Sequence, residues 1–198
     1  MLKRTWKNHA AVKTWVLGLL LMTLGACARA PVSETYHDAN MDFSILRSVA
    51  VMPFANLSGQ QVAGERVRNT FVSSLLATGV IYVIPSGEVA RGIDRAAIAN
   101  PTAPSSEDIA KLVAIVRADA VITGVVKEYG SVRSGNTMAN VISLDMQMIE
   151  KESRKIVWSA SSTKGGISMW DRLLGGGGQP MNDVTKAAVD DIINKLLQ

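Results

Sequence analysis

The residue with the most distinctive chemistry is Cys27, the only cysteine in this chain of 198 residues. It directly follows Leu24, Gly25 and Ala26, and the last two of these are small. A single cysteine also leaves no partner for a disulfide within one chain.

The chain before Cys27 has the composition of a secretory signal peptide. Its charged residues are all basic, namely Lys3, Arg4, Lys7 and Lys13. An almost wholly apolar run from Trp15 to Ala26 follows, and its roughly 12 residues are fewer than the roughly 20 that a membrane-spanning helix needs. The tetrapeptide from Leu24 to Cys27 resembles the lipobox of lipoprotein precursors. The resemblance implies that the signal peptidase recognises Leu24, Gly25 and Ala26, and that the Cys27 thiol takes a diacylglyceryl group. We therefore expect residues 1–26 to be removed.

A lipid on Cys27 would hold the protein at a membrane without a transmembrane helix. One acyl chain binds a bilayer only marginally, whereas two or more chains bind it stably. We expect a diacylglyceryl group and an N-acyl chain on Cys27, and no other cofactor or metal. Residue 28 is Ala, not the Asp that resembles an inner-membrane retention signal. This favours the outer membrane, with the protein facing the periplasm.

The charge of the chain does not indicate a nucleic-acid partner. The full chain has 21 Lys and Arg residues against 17 Asp and Glu. The four basic residues before Cys27 account for the difference, so the mature protein carries 17 of each sign. A near-neutral chain lacks the basic field that nucleic-acid binding requires.

The sequence after the signal peptide predicts a tether and a single α/β domain. Residues 27–41 hold the lipidated cysteine and a polar tether without apolar periodicity, and residues 42–198 form the domain. Apolar runs and alternating patterns predict strands at 48–54, 80–84, 120–126, 138–149 and 156–160. Apolar stripes predict helices at 62–77, through 90–97, at 105–116 and at 182–196. The predicted caps are Gly79 at the end of the first helix and, at the starts of the other three, Ser86, Ser105 with Asp108, and Asn182. The order β-α-β-α-α-β-β-β-α predicts a sandwich with helices packed on a mixed sheet.

Catalytic motifs are missing from the sequence, so we expect no enzymatic activity. His37 is the one histidine after Cys27, and it lies in the predicted tether. The Asp190-Asp191 pair, near Lys186 and Lys195, and the Glu65/Arg68 pair are interpreted as solvated charges on helices. No spacing typical of a metal site, a phosphate-binding loop or a nucleophile elbow occurs.

Four segments resemble the curli-secretion lipoprotein (CsgG) superfamily: Ser48–Ser58, Ile81–Pro85, Ala118–Gly124 and Ile156–Trp158. The resemblance covers about residues 42–197, and peptidoglycan-synthase activator lipoproteins and the N-terminal domain of the Tol translocation protein are similar in architecture. It implies an outer-membrane lipoprotein of the envelope. The curli pore adds amphipathic hairpins, whereas the hairpin at 138–160 has no aromatic girdle at both ends. This chain therefore resembles the periplasmic domain without the channel.

Three functions follow as hypotheses from these features. The leading one is a non-enzymatic accessory lipoprotein that docks onto an envelope machine, for secretion and surface-fibre assembly or for cell-wall synthesis. The second is a homo-oligomeric ring that forms a secretion channel, and the third is an envelope hydrolase. The first implies a protein partner in the envelope besides the membrane.

A glycine-rich segment from Gly165 to Pro180 is the candidate contact site. Large apolar residues between glycines are unusual in a simple connector, and Trp and Arg are frequent in interface hot spots. Two interpretations stay open: the segment covers the core or the sheet edge, or it contacts a partner or a membrane. The candidate contact residues are Met169, Trp170, Arg172, Leu173 and Leu174.

We predict that Cys27→Ser leaves an unlipidated precursor, because the thiol that accepts the diacylglyceryl group is gone. Metabolic labelling with radioactive palmitate followed by immunoprecipitation measures this directly. Label that persists in the Cys27→Ser protein would refute the assignment of the lipidation site.

Overall fold

A computed structural model of the chain describes residues 35–134, 137–166 and 178–198, all within one compact unit. In this part of the chain, a mixed seven-stranded sheet carries four α-helices, which confirms the predicted fold class. The strands are β1 (Thr35–His37), β2 (Ser48–Val51), β3 (Ala55–Asn56), β4 (Tyr82–Val83), β5 (Ala120–Ser134), β6 (Thr137–Glu150) and β7 (Ile156–Gly165). The helices are α1 (Ala63–Thr78), α2 (Ser86–Arg95), α3 (Ser106–Val116) and α4 (Met181–Leu196), and a 3-10 turn spans Phe43–Ile45.

The strand order across the sheet is β1-β7-β6-β5-β2-β4, and β3 also pairs with β5. Strands β2, β3 and β4 form the parallel part, in which β2 pairs with both β4 and β5. Strands β5, β6, β7 and β1 form an antiparallel meander. The sheet therefore has one short edge strand on each side.

The hairpin of β5 and β6 is the longest ladder in the described sheet and runs from the Ala120–Glu150 pair to the Ser134–Thr137 pair. The alternation predicted for β6 is confirmed, since its core-facing side chains Ile142, Leu144, Met146 and Met148 are all buried. A bulge in β7 at Val157 lets both Val157 and Trp158 be buried. The Trp158 indole N–H donates to the Lys195 carbonyl at 3.1 Å.

The helices cover the sheet on two sides. Helices α1 and α4 pack with the larger core, whereas α2 and α3 pack with a smaller core on the opposite face of β2 and β5. Neighbouring residues of β5 show the division, since Ile122 belongs to the larger core and Val121 to the smaller one. A strand that is buried on both faces has a nearly continuous run of apolar residues, and β2 and the first part of β5 have such a run.

Two predicted helix caps are confirmed and two helix starts differ. Gly79 ends α1 in the left-handed conformation, with φ of 65°, and Ser105 forms a capping box with Asp108 at the start of α3. Ser86, predicted to cap α2, is its first helical residue, and Pro85 lies at the N-cap. Helix α4 has Pro180 at its N-cap, so Asn182, which was predicted to cap it, lies in its first turn.

The predicted tether is too long at its C-terminal end. Residues 35–37 are strand β1, paired antiparallel with β7 from Thr35–Ala160 to His37–Trp158. His37 is therefore part of a sheet, although its side chain is exposed as expected. A three-residue edge strand carries no detectable alternation of its own, because its pairing depends on β7, more than a hundred residues away.

Further corrections concern the end of β2. Ala55–Asn56, predicted to enter a turn, pairs with β5, so Pro53 interrupts rather than ends the strand. Arg68, predicted to face water, is half-buried, and its Nη2 donates to the Val51 carbonyl at 2.8 Å. Strand β4 pairs with β2 only at Ser48 and Val49. The Arg68 guanidinium therefore supplies the donor for the Val51 carbonyl. Leu76, predicted on the buried side of α1, is 52% exposed.

Of the Asp190-Asp191 pair, only Asp190 faces solvent as predicted. Asp190 forms an exposed ion pair with Lys186 at 2.6 Å. Asp191 instead faces β7 and accepts from Lys195 Nζ at 2.8 Å and from Lys164 Nζ at 3.1 Å. Burial alone would raise the pKa of the Asp191 carboxyl, but the hydrogen bonds, those from the two ammonium groups among them, outweigh it and lower that pKa to about 2.

Phe71→Ala should destabilise the unlipidated mature chain by about 3–5 kcal/mol, because truncating a buried aromatic residue leaves a cavity. Phe71 is fully buried, and its ring centroid lies 6.1 Å from that of Phe54. Leu76→Ala on the same helix is the matched control and should change the free energy of unfolding by less than about 0.5 kcal/mol. Urea unfolding measures both, and equal losses would show that the assignment of the helix faces is wrong.

Asp191 should make the stability depend on acid pH. Its folded pKa of about 2 lies below the ordinary value of 3.8, so its contribution is present above about pH 4 and is lost as the pH falls towards 2. We expect Asp191→Asn to cost about 2 kcal/mol at pH 7 and to flatten this part of the pH profile. Asp190→Asn is the control and should leave the profile unchanged, because an exposed ion pair contributes little.

Candidate functional site

The predicted site residues lie outside the described part of the chain. This holds for Cys27 with its preceding residues Leu24, Gly25 and Ala26, and for the contact residues Met169, Trp170, Arg172, Leu173 and Leu174. The described ends of the glycine-rich segment are both held by β6. The Gly166 N–H donates to the Asn140 carbonyl at 2.8 Å, and the Gly178 N–H donates to the Met138 carbonyl at 3.3 Å. Both described ends of the segment therefore lie beside the distal end of the β5–β6 hairpin.

At the opposite end of the sheet lies an apolar cleft of about 730 Å³. This volume lies within the roughly 300–1,000 Å³ typical of ligand pockets. Its apolar lining comes from four parts of the chain: Met41, Phe43 and Leu46; Val80 and Ile81; Met148; and Leu196 and Leu197. Val80 is 66% exposed and Leu197 is 43% exposed, so the cleft offers apolar side chains to solvent.

One wall of the cleft is the stretch of residues 38–47, here called the crossing segment, which leads from β1 to β2. At its start, the Asp38 N–H donates to the Val157 carbonyl at 2.8 Å. At its end, the Arg47 carbonyl accepts from the Tyr82 N–H at 2.9 Å. Between these points the Phe43 ring meets the edge of His37, with ring centroids 5.6 Å apart. The segment is therefore tied to strands near both edges of the sheet.

The 3-10 turn in the crossing segment is capped by Asp42. The Asp42 Oδ1 accepts from the Ser44 backbone N–H at 2.9 Å and from the Ser44 hydroxyl at 2.6 Å. These hydrogen bonds, the one from the hydroxyl first, hold the pKa of the exposed Asp42 carboxyl below its usual value. This cap fixes the turn that presents Phe43 to the cleft.

Asp119 joins the crossing segment to the rest of the sheet. Its Oδ2 accepts from the backbone N–H groups of Arg47 and Ser48, each at 3.1 Å, and its Oδ1 accepts from Lys151 Nζ at 2.9 Å. Burial would raise the pKa of the Asp119 carboxyl, but these donors outweigh it and lower the pKa. One carboxylate therefore connects the starts of β2 and β5 with the turn between β6 and β7.

The chemistry of the cleft is that of a binding surface for apolar groups. Its polar side chains are few, and they include His37 and Asp38 at the rim. Among the described residues, no group of three or more His, Cys, Asp or Glu side chains could hold a metal ion. None of the helices in the described ranges is long and apolar enough to cross a membrane.

The cleft was not predicted from the sequence, because residues up to 41 were assigned to the tether. The available signal is Met41 and Phe43 on either side of Asp42, which indicates a segment with apolar side chains against the protein. Ile45 does not follow this alternation, since it is 58% exposed. The contributions of Val80 and Leu197 could not be found in this way, because they come from distant parts of the chain.

The folded domain matches one protein family over residues 36–198, that of the GNA1162-like lipoproteins. The chain belongs to this family. No curated protein matches the chain. The lipoprotein class is thereby shown, whereas the resemblance to the curli-secretion superfamily stays a prediction.

Solved structures share the fold at low sequence identity. The PelC dodecamer from Paraburkholderia phytofirmans is 17% identical with a TM-score of 0.54, and the match covers 83% of this chain and 97% of that one. Lipoprotein GNA1162 from Neisseria meningitidis is 19% identical with a TM-score of 0.56, covering 76% and 98%. The LpoB C-terminal domain from Escherichia coli is 13% identical with a TM-score of 0.47, and the match covers 59% of this chain and 81% of that one.

The cleft should bind an apolar fluorescent dye, because exposed apolar surface takes up anilinonaphthalene sulfonate. In the unlipidated mature chain, the double variant Val80→Asp with Leu197→Asp should lose most of the dye fluorescence without a lower melting temperature. Leu57→Asp is the matched control, since Leu57 is 72% exposed and is not part of the cleft lining. Equal fluorescence from the two variants would show that the cleft is not the dye site.

Proposed function

We propose that this protein is a non-enzymatic lipoprotein, held in the outer membrane by an acylated Cys27, that docks a protein partner in the periplasm. The observation that carries the proposal is the membership of the whole folded domain in a lipoprotein family. The lipobox from Leu24 to Cys27 and the Ala at position 28 support the anchor and its location.

Two parts of the chain support a docking role. The first is the apolar cleft beside the crossing segment, whose exposed apolar side chains would become buried by a partner. The second is the glycine-rich segment, in which Trp170, Arg172 and Leu173 are residues suited to a contact with a partner or a membrane. The partner would belong to a machine for secretion and surface-fibre assembly, or for cell-wall synthesis.

A ring of identical subunits is the second candidate function. The specific observation in its favour is the similarity of the fold to PelC, which forms dodecamers. The chain would then act as a homo-oligomeric subunit of a secretion channel. Electron microscopy and mass photometry of the detergent-solubilised lipoprotein test this candidate, since rings support it and a monomer contradicts it.

The docking proposal predicts that Trp170→Ala with Leu173→Ala keeps the domain folded but loses partner or membrane association. The measurement is chemical cross-linking in cells, affinity purification of the lipoprotein and mass spectrometry of the bound proteins. The cleft variant Val80→Asp with Leu197→Asp is tested in parallel, so that the two surfaces are distinguished.

Leu57→Asp serves as the control for an exposed apolar residue outside both surfaces. If the double alanine variant unfolds, Trp170 and Leu173 cover the core and the contact interpretation is wrong. If both surface variants fold and retain every cross-linked protein, the docking proposal itself is contradicted.

A further inference from the structure

Strand β1 lies at one side of the sheet and has an unpaired edge. Within the described part of the chain, β7 is the only strand that pairs with it. All three of its residues, Thr35, Tyr36 and His37, are exposed. An unpaired edge presents backbone N–H and C=O groups to which a further strand can bind.

The outward backbone groups at this edge belong to Thr35 and His37. The Asp38 N–H donates to the Val157 carbonyl at 2.8 Å. Hydrogen-bonded and non-hydrogen-bonded pairs alternate in an antiparallel ladder, so Tyr36 and Asp38 turn their backbone groups towards β7. The alternate residues Thr35 and His37 therefore turn theirs away from β7.

The other side of the sheet gives the same alternation independently. The Met52 N–H donates to the Ile122 carbonyl at 2.9 Å, so Ile122 turns its backbone groups to β2, and the residues on either side of it turn theirs to β6. Followed through the register of β6 and β7, this alternation turns the backbone groups of Ser159 towards β1. Ser159 pairs with Tyr36, which again leaves the residues before and after Tyr36 facing outwards.

The side chains of Thr35 and His37 line the apolar cleft. Residues two apart on a strand point to the same face of the sheet, and Tyr36 between them points to the other. The Phe43 ring meets the edge of His37, with ring centroids 5.6 Å apart. The apolar lining of the cleft therefore directly adjoins the unpaired edge.

An extended peptide matches both features at once. Its backbone would bind the outward groups of Thr35 and His37 at the spacing of neighbouring strands, about 4.8 Å. Its side chains opposite these two residues would point to the face of the cleft. A helix satisfies its backbone groups internally and an acyl chain has none, so neither would use the edge. Strand addition takes affinity from main-chain hydrogen bonds and specificity from pockets for alternate side chains.

We infer that the unpaired edge of β1 and the apolar cleft form one docking site for an extended segment of the protein partner, which adds to the sheet beside β1. The segment has apolar side chains at every second position, and these enter the cleft beside His37 and Phe43. This inference rests on the proposed docking function and specifies the conformation and side-chain pattern of the partner.

Selection of random linear peptides displayed on phage tests this pattern. The target is the lipidated protein in nanodiscs, after removal of phage that bind empty nanodiscs. We expect the selected peptides to have apolar residues at every second position and to protect β1 in hydrogen exchange measured by mass spectrometry. Peptides with apolar residues three and four apart, the spacing of an amphipathic helix, or no selected peptide, would overturn the inference.

The edge is tested by Thr35→Pro, which removes one outward N–H, since proline is tolerated on an edge strand where the N–H faces solvent. In fluorescence anisotropy a selected peptide should bind this variant about tenfold more weakly, because its own carbonyl group is left unpaired. Thr35→Val keeps the N–H and is the matched control, which should bind as the natural protein does. Equal affinity of the two variants would overturn the role of the edge.

The cleft is tested without any change in β1. Leu197→Asp, at a cleft position that is 43% exposed, should also weaken binding of the peptide, whereas Leu57→Asp, outside the cleft lining, should not. Binding that is unchanged in Leu197→Asp would show that the cleft takes no part, which overturns the combined site.

Cross-linking in cells separates this inference from the proposed function. If Thr35→Pro retains every cross-linked protein and the cleft or glycine-rich variant loses one, docking stands and the inference about the edge is overturned. If none of these variants loses a cross-linked protein, the docking function itself is contradicted. A dimer that mass photometry detects in the natural protein but not in Thr35→Pro would assign the edge to a second copy and overturn the inferred partner.

Discussion

The long antiparallel ladder between β5 and β6 is the constraint on which the rest of the domain depends. Its register places Ile122, Leu144, Met146 and Met148 on one face, and the helices α1 and α4 complete the larger core there. The parallel strands β2 and β3 pair with the outer edge of β5, and β7 pairs with the other edge of β6. A slip of one residue in this ladder would turn the buried side chains of β6 to the opposite face. The same ladder separates the domain into two ends, one at the distal end of the hairpin and one at the turn after Glu150.

The two ends are stabilised in different ways. At the Glu150 end, the Asp119 carboxylate gathers donors from Arg47, Ser48 and Lys151, and the crossing segment is held there as one wall of the cleft. At the distal end of the hairpin, the ladder consists of two strands beyond Gly165, and Met138 and Asn140 also accept hydrogen bonds from Gly178 and Gly166. The apolar surface at the first end is a concave cleft.

The sequence was sufficient to predict the central elements, because their signals are local. Strands buried on both faces show continuous apolar runs, the exposed hairpin shows alternation, and Gly79 and Ser105 mark helix ends. The short strands β1 and β3 were not predicted, since two or three residues form a strand only when a distant partner supplies the ladder. The extension of β5 from Lys127 to Ser134 was also missed, because the bulge after Val126 interrupts its alternation. Arg68 and Asp191 were predicted to face water. In the structure Arg68 donates to the Val51 carbonyl, and Asp191 accepts from Lys164 and Lys195. Within the candidate site, the predicted lipobox is a local signal in the sequence. The cleft is not, because its lining comes from four separate parts of the chain.

In the function we propose, the lipid on Cys27 and a short tether hold the domain close to the membrane, and the domain docks a periplasmic partner. Neutron reflectometry of the lipidated protein on a supported bilayer tests this most directly. The comparison is with a variant in which about twenty Gly and Ser residues, which form a flexible chain, are inserted after Ala28. We predict that the natural protein forms a layer within about 30 Å of the headgroups, because the eight residue steps from Cys27 to Thr35 reach no further, and that the layer of the variant extends further from them. No bound layer, or a natural protein layer beyond this reach, would contradict the proposed anchoring at Cys27.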